Sequence, residues 1–446
     1  MGSVRTRRVA VVGGGLAGLA AAWRITRAGA EAVVLERKSS PGGRAGSSVD
    51  GETGEPVDTG QHIFMGCYRS TLSWFAALGT RPLVRLSRAL EVPWLLDGGG
   101  TASFRAVSLP APFHLLGGLL AIGGLTFGDR LRLLRLAGIM VPGGRLDGMS
   151  VAAWEDKLGV PRAVRDLVLD PLALAALNET PAGASALPFV AVLRALALGG
   201  RRGSAIGFAA AGLGDTYVGA ASAVIERGGG GVRGGAWANG LLVRGSRIAG
   251  VKLAGGEEIE ADAVVLAVPP WDLSALAAGV PELSAIAVSA RSLKPSPILT
   301  VHLWWNREVF PGLFAGLAGS RFDWLFNRTA LVGPGKDRSE HLCVVKSAAR
   351  GLLGMKPAEL AGLAESELRS RLPGTNGAKA IRSRTVWETG ATVSLAPGTD
   401  RLRPGAATPV KGLLLAGDWT ATGLPATIEG AVRSGFTAAR GALAAI

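Results

Sequence analysis

Three glycines at fixed spacing, Gly13-x-Gly15-x-x-Gly18, are followed eighteen positions later by a single acid, Glu36. Glycines at these points let the chain turn tightly and let its backbone approach a pyrophosphate. The helix that begins at Leu16 and Ala17 turns its positive end toward the same place. Glu36 has the spacing and the carboxylate to accept hydrogen bonds from a ribose. Pro41-Gly42-Gly43-Arg44 comes next, an unobstructed turn beside a guanidinium that can complement diphosphate charge. These residues predict a bound dinucleotide.

A second group lies at the other end of the chain. Leu413-Leu414-Leu415-Ala416 runs into Gly417-Asp418, and Thr427-Ile428-Glu429-Gly430 opens a last helix. The Gly42-Gly43-Arg44 turn after an acid, together with Gly417-Asp418, resembles the flavin-containing amine oxidase and phytoene desaturase superfamily. That resemblance implies FAD rather than NAD, with Asp418 reaching the ribityl or phosphate region. It also implies a discontinuous Rossmann-like α/β domain joined to an α+β substrate domain. The start of the last helix can stabilise negative charge on reduced flavin, and Glu429 serves equally well as a helix cap.

Two strings narrow the match: Val57-Asp58-Thr59-Gly60-Gln61-His62-Ile63-Phe64-Met65-Gly66-Cys67-Tyr68-Arg69, and the run from Gly417 to Gly435. They resemble the hydroxysqualene dehydroxylases, and the likeness runs through nearly the whole chain. What it implies is reductive chemistry: reduced flavin replaces the allylic hydroxyl of hydroxysqualene with hydrogen, giving squalene. Such a reaction needs a proton donor for the departing oxygen and a dry apolar tunnel. His62 is the first choice as donor because it titrates near neutral pH, with Tyr68 and Asp58 as alternatives. Arg37, Gly60, Gln61, His62 and Val232 are expected beside the cofactor with the motif residues. Trp304, Trp305, Phe322, Trp324 and Phe326 are expected to line the tunnel, and His302 and His341 to serve packing.

The elements that must hold these residues follow from hydropathy patterning. Val9–Val12 predicts a buried strand, Leu16–Ala28 a helix and Val33–Leu35 the next parallel strand. Residues 85–210 are rich in Leu and Ala at helical spacing, residues 213–270 give short strands with glycine turns, and residues 271–400 mix strands and helices. The tract Gly228–Gly231 predicts a flexible turn. We therefore expect an FAD-binding domain from 1–84, 213–270 and 405–446, and a substrate domain from 85–212 and 271–404.

Composition sets outer limits. Hydrophobic residues make up 48% and charged residues 18% of 446, with 48 Lys and Arg against 34 Asp and Glu, a net charge of +14. No basic run is long enough for a nucleic-acid arm, so dispersed arginines or an anionic membrane surface remain. Cys67 and Cys343 lie too far apart to suggest a disulfide framework or zinc site, and a cytoplasmic setting is expected. Arg7-Arg8 imitates a twin-arginine signal and Met1-Gly2 with Thr6 a myristoylation site, but the nucleotide-loop glycines interrupt the apolar stretch that follows. Residues 109–142, apolar with Arg130, Arg132 and Arg135, predict either an interfacial membrane anchor or a buried lid. No second strand–glycine–helix motif supplies a nicotinamide site, which leaves the electron donor open between a separate reductase and a weakly bound nicotinamide. A carotenoid-type desaturase, an amine oxidase and a non-catalytic membrane-peripheral flavoprotein are the alternatives; with only Tyr68 and Tyr217 as tyrosines, an aromatic amine cage is disfavoured.

Overall fold

The computed structural model describes residues 7–140 and 146–446. The Met1-Gly2…Thr6 string and the last two residues of the 109–142 stretch therefore lie outside the described residues. Arg8–Val12 is buried from Val9 onward because its side chains are apolar on both faces, as a central parallel strand requires. It pairs in parallel with Glu31–Leu35 on one side and Ala263–Leu266 on the other. Gly231–Arg233 and Leu413–Leu415 complete a five-stranded parallel sheet. Chain segments hundreds of residues apart thus enter one sheet with their C-terminal ends together, where ligands of open α/β sheets bind.

The Leu16–Arg27 helix packs on this sheet and against the terminal helix, Ile428–Ala445. Their contact is close because Gly435 has no side chain: a Cβ there would sit 2.2 Å from the Ala17 carbonyl oxygen. The Gly228–Gly231 tract turns at 228–229 and enters the edge strand at Gly231. A Cβ on Gly228 would meet the Thr26 side chain at 2.2 Å, and one on Gly230 the Ala32 carbonyl oxygen at 2.1 Å, while Gly229 and Gly231 have open space.

A second, seven-stranded sheet runs in the order 380–393, 295–305, 340–346, 324–327, 314–317, 91–95, 101–105. Its neighbours are antiparallel except where Phe314–Leu317 meets Glu91–Leu95 in parallel. The stretch 85–210 is therefore not helical throughout: it gives Glu91–Leu95 and Thr101–Arg105 to this sheet. It also gives Ile206–Ala209 to a small sheet with Phe64–Met65 and Val84–Leu86. Tertiary pairing overrides the Leu- and Ala-rich composition there.

Strand alternation divides the expected tunnel aromatics into two sets. Trp305 and Phe322 lie in a core with Leu299, Val301, Leu303 and the Leu360, Ala364 and Leu368 stripe of the Pro357–Arg369 helix. Trp324 and Phe326 lie on the opposite face with Trp94, Phe208, Cys343 and Val345, against which Ile63 and Met65 pack. Trp305 and Phe322 are thus outer-core residues.

Candidate flavin and substrate site

Gly13 leaves the first strand with φ +105°, a conformation that favours glycine, and a Cβ there would lie 2.5 Å from the Ala267 carbonyl oxygen. A Cβ on Gly18 would lie 1.9 Å from the Gly13 oxygen, so this residue lets the helix close on the strand. Gly15 is the helix N-cap and no side chain caps it; its nearest neighbour is the Gly43 Cα, 3.8 Å from where a Cβ would stand. The two glycine turns, 13–15 and 42–43, thus form one cradle at an uncapped helix start, the geometry that accepts a phosphate group. Glu36 is buried at its edge; Gly14 N–H donates to Oε2 and Lys38 N–H to Oε1, each at 2.8 Å. Each oxygen keeps a lone pair for a ribose hydroxyl. The residues present fit the adenosine diphosphate half of FAD.

Arg37 is mostly exposed and pairs with Asp272 at 3.7 Å. Val232 stands opposite Val34 on the sheet-edge strand. Tyr217, whose place the sequence did not indicate, is fully buried under the cradle and donates its hydroxyl to the Gly42 carbonyl oxygen at 2.7 Å. It pins the glycine turn.

Arg44 reaches across to the second motif. Its Nη2 donates to Asp418 Oδ1 at 2.6 Å and its Nη1 to the Ala391 carbonyl oxygen at 2.8 Å. Burial opposes the charge of Arg44, and the adjacent Asp418 carboxylate outweighs it, leaving the guanidinium pKa raised. The loop after Asp418 is organised by another residue that sequence reasoning missed. Buried Arg403 donates to the carbonyl oxygens of Asp418, Trp419, Thr420 and Leu424. Gly417 N–H donates to Ser434 Oγ at 2.8 Å, tying the loop to the terminal helix.

Glu429 caps a neighbour rather than its own helix. Ser70 N–H donates to its Oε1, and Thr71 N–H and Oγ–H donate to its Oε2, at 2.8–3.0 Å. These amides open the Arg69–Leu78 helix, whereas the terminal helix is capped by Thr427, which accepts from Gly430 N–H. The carboxylate expected beside the cofactor is thereby committed to protein amides.

The three candidate proton donors differ sharply in state. Asp58 is buried, accepts from Ser47 Oγ at 2.6 Å and Leu213 N–H at 2.8 Å, and faces the fully buried Arg328 at 3.2 Å. So engaged by a hydroxyl, an amide and a guanidinium, Asp58 serves as an anchor for this segment. Arg328 also donates to Gln61 Oε1 at 2.9 Å, fixing the residue before His62. Tyr68 has its phenol pKa pushed far up by burial, which makes it a weaker acid than a free tyrosine. His62 Nδ1 lies 2.7 Å from the Gly60 carbonyl oxygen. That contact requires a proton on Nδ1 and leaves Nε2 for another partner. Burial lowers its pKa, with the Gly60 contact acting in the opposite direction.

The matched family model, Flavin containing amine oxidoreductase, runs over residues 16–443. A hydroxysqualene dehydroxylase from Rhodopseudomonas palustris is 32% identical over 99% of each chain. The chain belongs to the flavin-containing amine oxidoreductase family. As a member of that family it is an FAD-dependent oxidoreductase. A 15-cis-phytoene desaturase from Synechococcus elongatus is 26% identical over 98% of this chain and 96% of its own. Among solved structures, an oxidoreductase from Methanosarcina mazei superposes with a TM-score of 0.73 at 18% identity, covering 96% of this chain and 99% of that one. At that identity the likeness is one of fold.

Within this flavoprotein fold, the inner face of the seven-stranded sheet is ordered in rows. One row runs Trp94, Gly316, Trp324, Val345, Thr300, Val386; the next runs Phe314, Phe326, Cys343, His302, Arg384. Trp94 lies over Gly316, where a Cβ would stand 2.1 Å from its ring. The surface is apolar at the Trp94 end and becomes polar toward Arg384. On the same face Trp304 donates its indole N–H to buried Glu55 Oε2 at 2.7 Å and stacks on His341. Trp304 is therefore part of a polar network rather than a tunnel wall.

Proposed function

We propose that this FAD-dependent oxidoreductase removes the allylic hydroxyl of hydroxysqualene reductively, giving squalene. The observation that carries this reading is the 32% identity to a hydroxysqualene dehydroxylase along 99% of both chains. It is supported by the inner sheet face, whose apolar rows of Trp94, Trp324, Phe326 and Phe314 suit a long hydrocarbon. The segments carrying the five-stranded sheet would form the FAD-binding domain and those carrying the seven-stranded sheet the substrate domain. Gly13, Gly15, Leu16, Ala17, Gly18, Glu36, Gly42, Gly43 and Arg44 would hold the cofactor at one end, with Gly417, Asp418, Thr427 and Ile428 at the other.

Bound FAD, once reduced, supplies a hydride for the allylic carbon. The chain's own residues would manage the oxygen. As the carbon–oxygen bond breaks, its electron pair stays on oxygen, which takes a proton from His62 and departs as water. In the imidazolium form both ring nitrogens donate, Nδ1 to the Gly60 carbonyl oxygen and Nε2 outward. Arg328, by gripping Gln61 and Asp58, would hold this segment in place.

The substrate dissolves in lipid, and residues 109–142 suit a peripheral membrane contact. Among the described residues no helix is long and apolar enough to cross a membrane. The helices Phe113–Leu120 and Phe127–Leu133 are two-sided instead. Leu119, Leu133 and Leu136 enter the main core, while Phe113 and Phe127 are 56% and 76% exposed, with Leu109, Leu131 and Leu134 also outward. Exposed Arg130, Arg132 and Arg135 flank them, which is the pattern of an interfacial element near anionic lipid.

The test is anaerobic incubation of chemically reduced, FAD-loaded protein with hydroxysqualene, following flavin absorbance and squalene together. Stoichiometric reoxidation with squalene formation is expected. No reoxidation by hydroxysqualene, or instead bleaching of the oxidised flavin by phytoene-type substrates or amines, would overturn the assignment.

A further inference from the structure

At the polar end of these rows lies a chain of buried polar groups that the proposed mechanism does not use. His302 Nδ1 is 2.9 Å from His341 Nε2, and His341 Nδ1 is 3.4 Å from Glu55 Oε2. All three are buried: 2% exposed for His302, none for His341, 4% for Glu55. Burial opposes ionisation of Glu55, but the neighbouring His341 and the hydrogen bond from Trp304 hold its pKa below the usual value, so it is a carboxylate, which His341 Nδ1 faces at 3.4 Å without completing a hydrogen bond. A lone pair on His341 Nδ1 would repel that carboxylate, so the proton sits on Nδ1 and His341 Nε2 accepts. His302 must then donate from its own Nδ1, which leaves His302 Nε2 as a lone pair. Among the described residues that Nε2 has no hydrogen-bond partner, and neither has Thr300 Oγ1, two residues earlier on the same strand face and 1% exposed. Burial, the neighbouring His341, and the cations Arg328 and Arg384 all keep His302 from taking a second proton.

We propose that His302 Nε2, with Thr300 Oγ1 beside it, is a subsite that accepts the hydroxyl proton of an otherwise apolar ligand, an isoprenoid alcohol, and that His341 and Glu55 are positioning residues that fix its tautomer. The identity of that alcohol as hydroxysqualene rests on the function proposed above. A buried acceptor without a partner penalises a plain hydrocarbon and rewards a ligand that can donate to it. It lies on the face that carries Trp324, Phe326 and Val345, across from Ile63 and Met65. Arg328 joins the two regions, since it holds Gln61 beside His62 and its charge bears on His302. The arrangement separates an alcohol substrate from a hydrocarbon product with the same carbon skeleton.

The chain has four histidines, so the proposal can be read by ¹⁵N NMR of histidine-labelled protein carrying oxidised FAD, which cannot turn over. His302→Phe assigns the resonances, and Glu55→Gln, which shifts the His302 and His341 signals together, assigns them where the first variant does not accumulate. Expected are Nδ1-protonated, neutral His302 and His341, with the His302 Nε2 signal moving toward the hydrogen-bonded range on adding hydroxysqualene or farnesol and staying unmoved with squalene. The wild type should bind the alcohol roughly tenfold tighter than the hydrocarbon, a ratio that falls toward one in Glu55→Gln and Thr300→Val. A proton on His302 Nε2 without ligand, or an Nε2 signal indifferent to both alcohols, overturns the subsite. A signal that responds to farnesol in a protein whose reduced form leaves hydroxysqualene unconverted supports the subsite and overturns the substrate reading alone.

Discussion

Arg44 and Asp418 lie 374 positions apart in sequence, yet the guanidinium Nη2 donates to the carboxylate Oδ1 across 2.6 Å. The pair fastens the glycine turn after the second strand to the loop after the last strand. Asp418 is nearly buried and Arg44 is half-buried, so removing either partner strands a charge. Arg44→Ala and Asp418→Ala should each weaken FAD binding by roughly tenfold. The double variant should lose less than the two together, with a coupling of about 1–2 kcal/mol. Flavin fluorescence titration of the apoproteins measures this, and strictly additive losses would contradict the joint role.

The nucleotide end was legible because its chemistry is local. Gly13, Gly18 and Glu36 act through backbone approach and a single carboxylate, and their spacing is set by one strand–turn–helix unit. Residues whose partners come from elsewhere in the chain were hidden. Glu429 opens a helix and was expected to cap it or meet the cofactor, but its partners, Ser70 and Thr71, are 359 and 358 positions away. Arg403, Tyr217 and Arg328 carry no motif: Tyr217 and Arg328 act on groups 175 and 267 positions away, and Arg403 on loop carbonyls 15–21 positions further on. The tunnel aromatics were only half placed, because Trp304 and Trp305 are adjacent in sequence and point to opposite faces of one strand. The strands at 91–95 and 101–105 were missed because they exist through pairing with each other and with Phe314–Leu317.

Glu429 gives a stability prediction. Its carboxylate takes three hydrogen bonds at the start of a helix that packs beneath the flavin-side string. Glu429→Ala should destabilise the protein by about 2–3 kcal/mol, combining a lost cap with buried amides left unpaired. Glu429→Gln should recover part of this. A lowered urea midpoint in the alanine variant, with a glutamine variant between it and wild type, is the expected result; a purely flavin-dependent change would restore the cofactor role.

The outward phenylalanines can be tested without touching the core. Phe113→Ser and Phe127→Ser together should leave folding intact and reduce affinity for vesicles containing anionic lipid, read by co-sedimentation, by roughly 30-fold, at about 2 kcal/mol for the two side chains. Raising salt should weaken what binding remains, because the arginine flank acts through screened charge. Unchanged sedimentation of the double variant would favour a lid over an anchor.

His62 makes the rate depend on pH in a defined direction. Its pKa is lowered, chiefly by burial, so the donor form is populated only below the ordinary histidine value. Reoxidation of reduced protein by hydroxysqualene should therefore accelerate as pH falls from 8 toward 6, approaching tenfold per unit, with no plateau before the ordinary value is passed. His62→Ala should be slower by about 100-fold and insensitive to pH over this range, with FAD still bound. A wild-type rate that is flat with pH removes His62 from proton delivery.

Glu155 and Asp170 are a carboxyl pair in the helical insert, and Glu155 is 1% exposed. Burial first, and then the neighbouring Asp170, push the Glu155 carboxyl from its ordinary 4.5 up to about 8. Between those values the folded protein holds a proton that the unfolded chain has released. The pair's contribution is therefore complete below about 4.5 and is lost as pH rises through about 8. Glu155→Gln keeps a donor for Asp170 and has no proton to lose. It should match wild type at pH 5 and be more stable by on the order of 2 kcal/mol at pH 8.5. Thermal midpoints of the two proteins at both pH values decide the matter: a difference that does not grow with pH would mean that Glu155 is ionised in the fold and stabilised by a neighbouring cation.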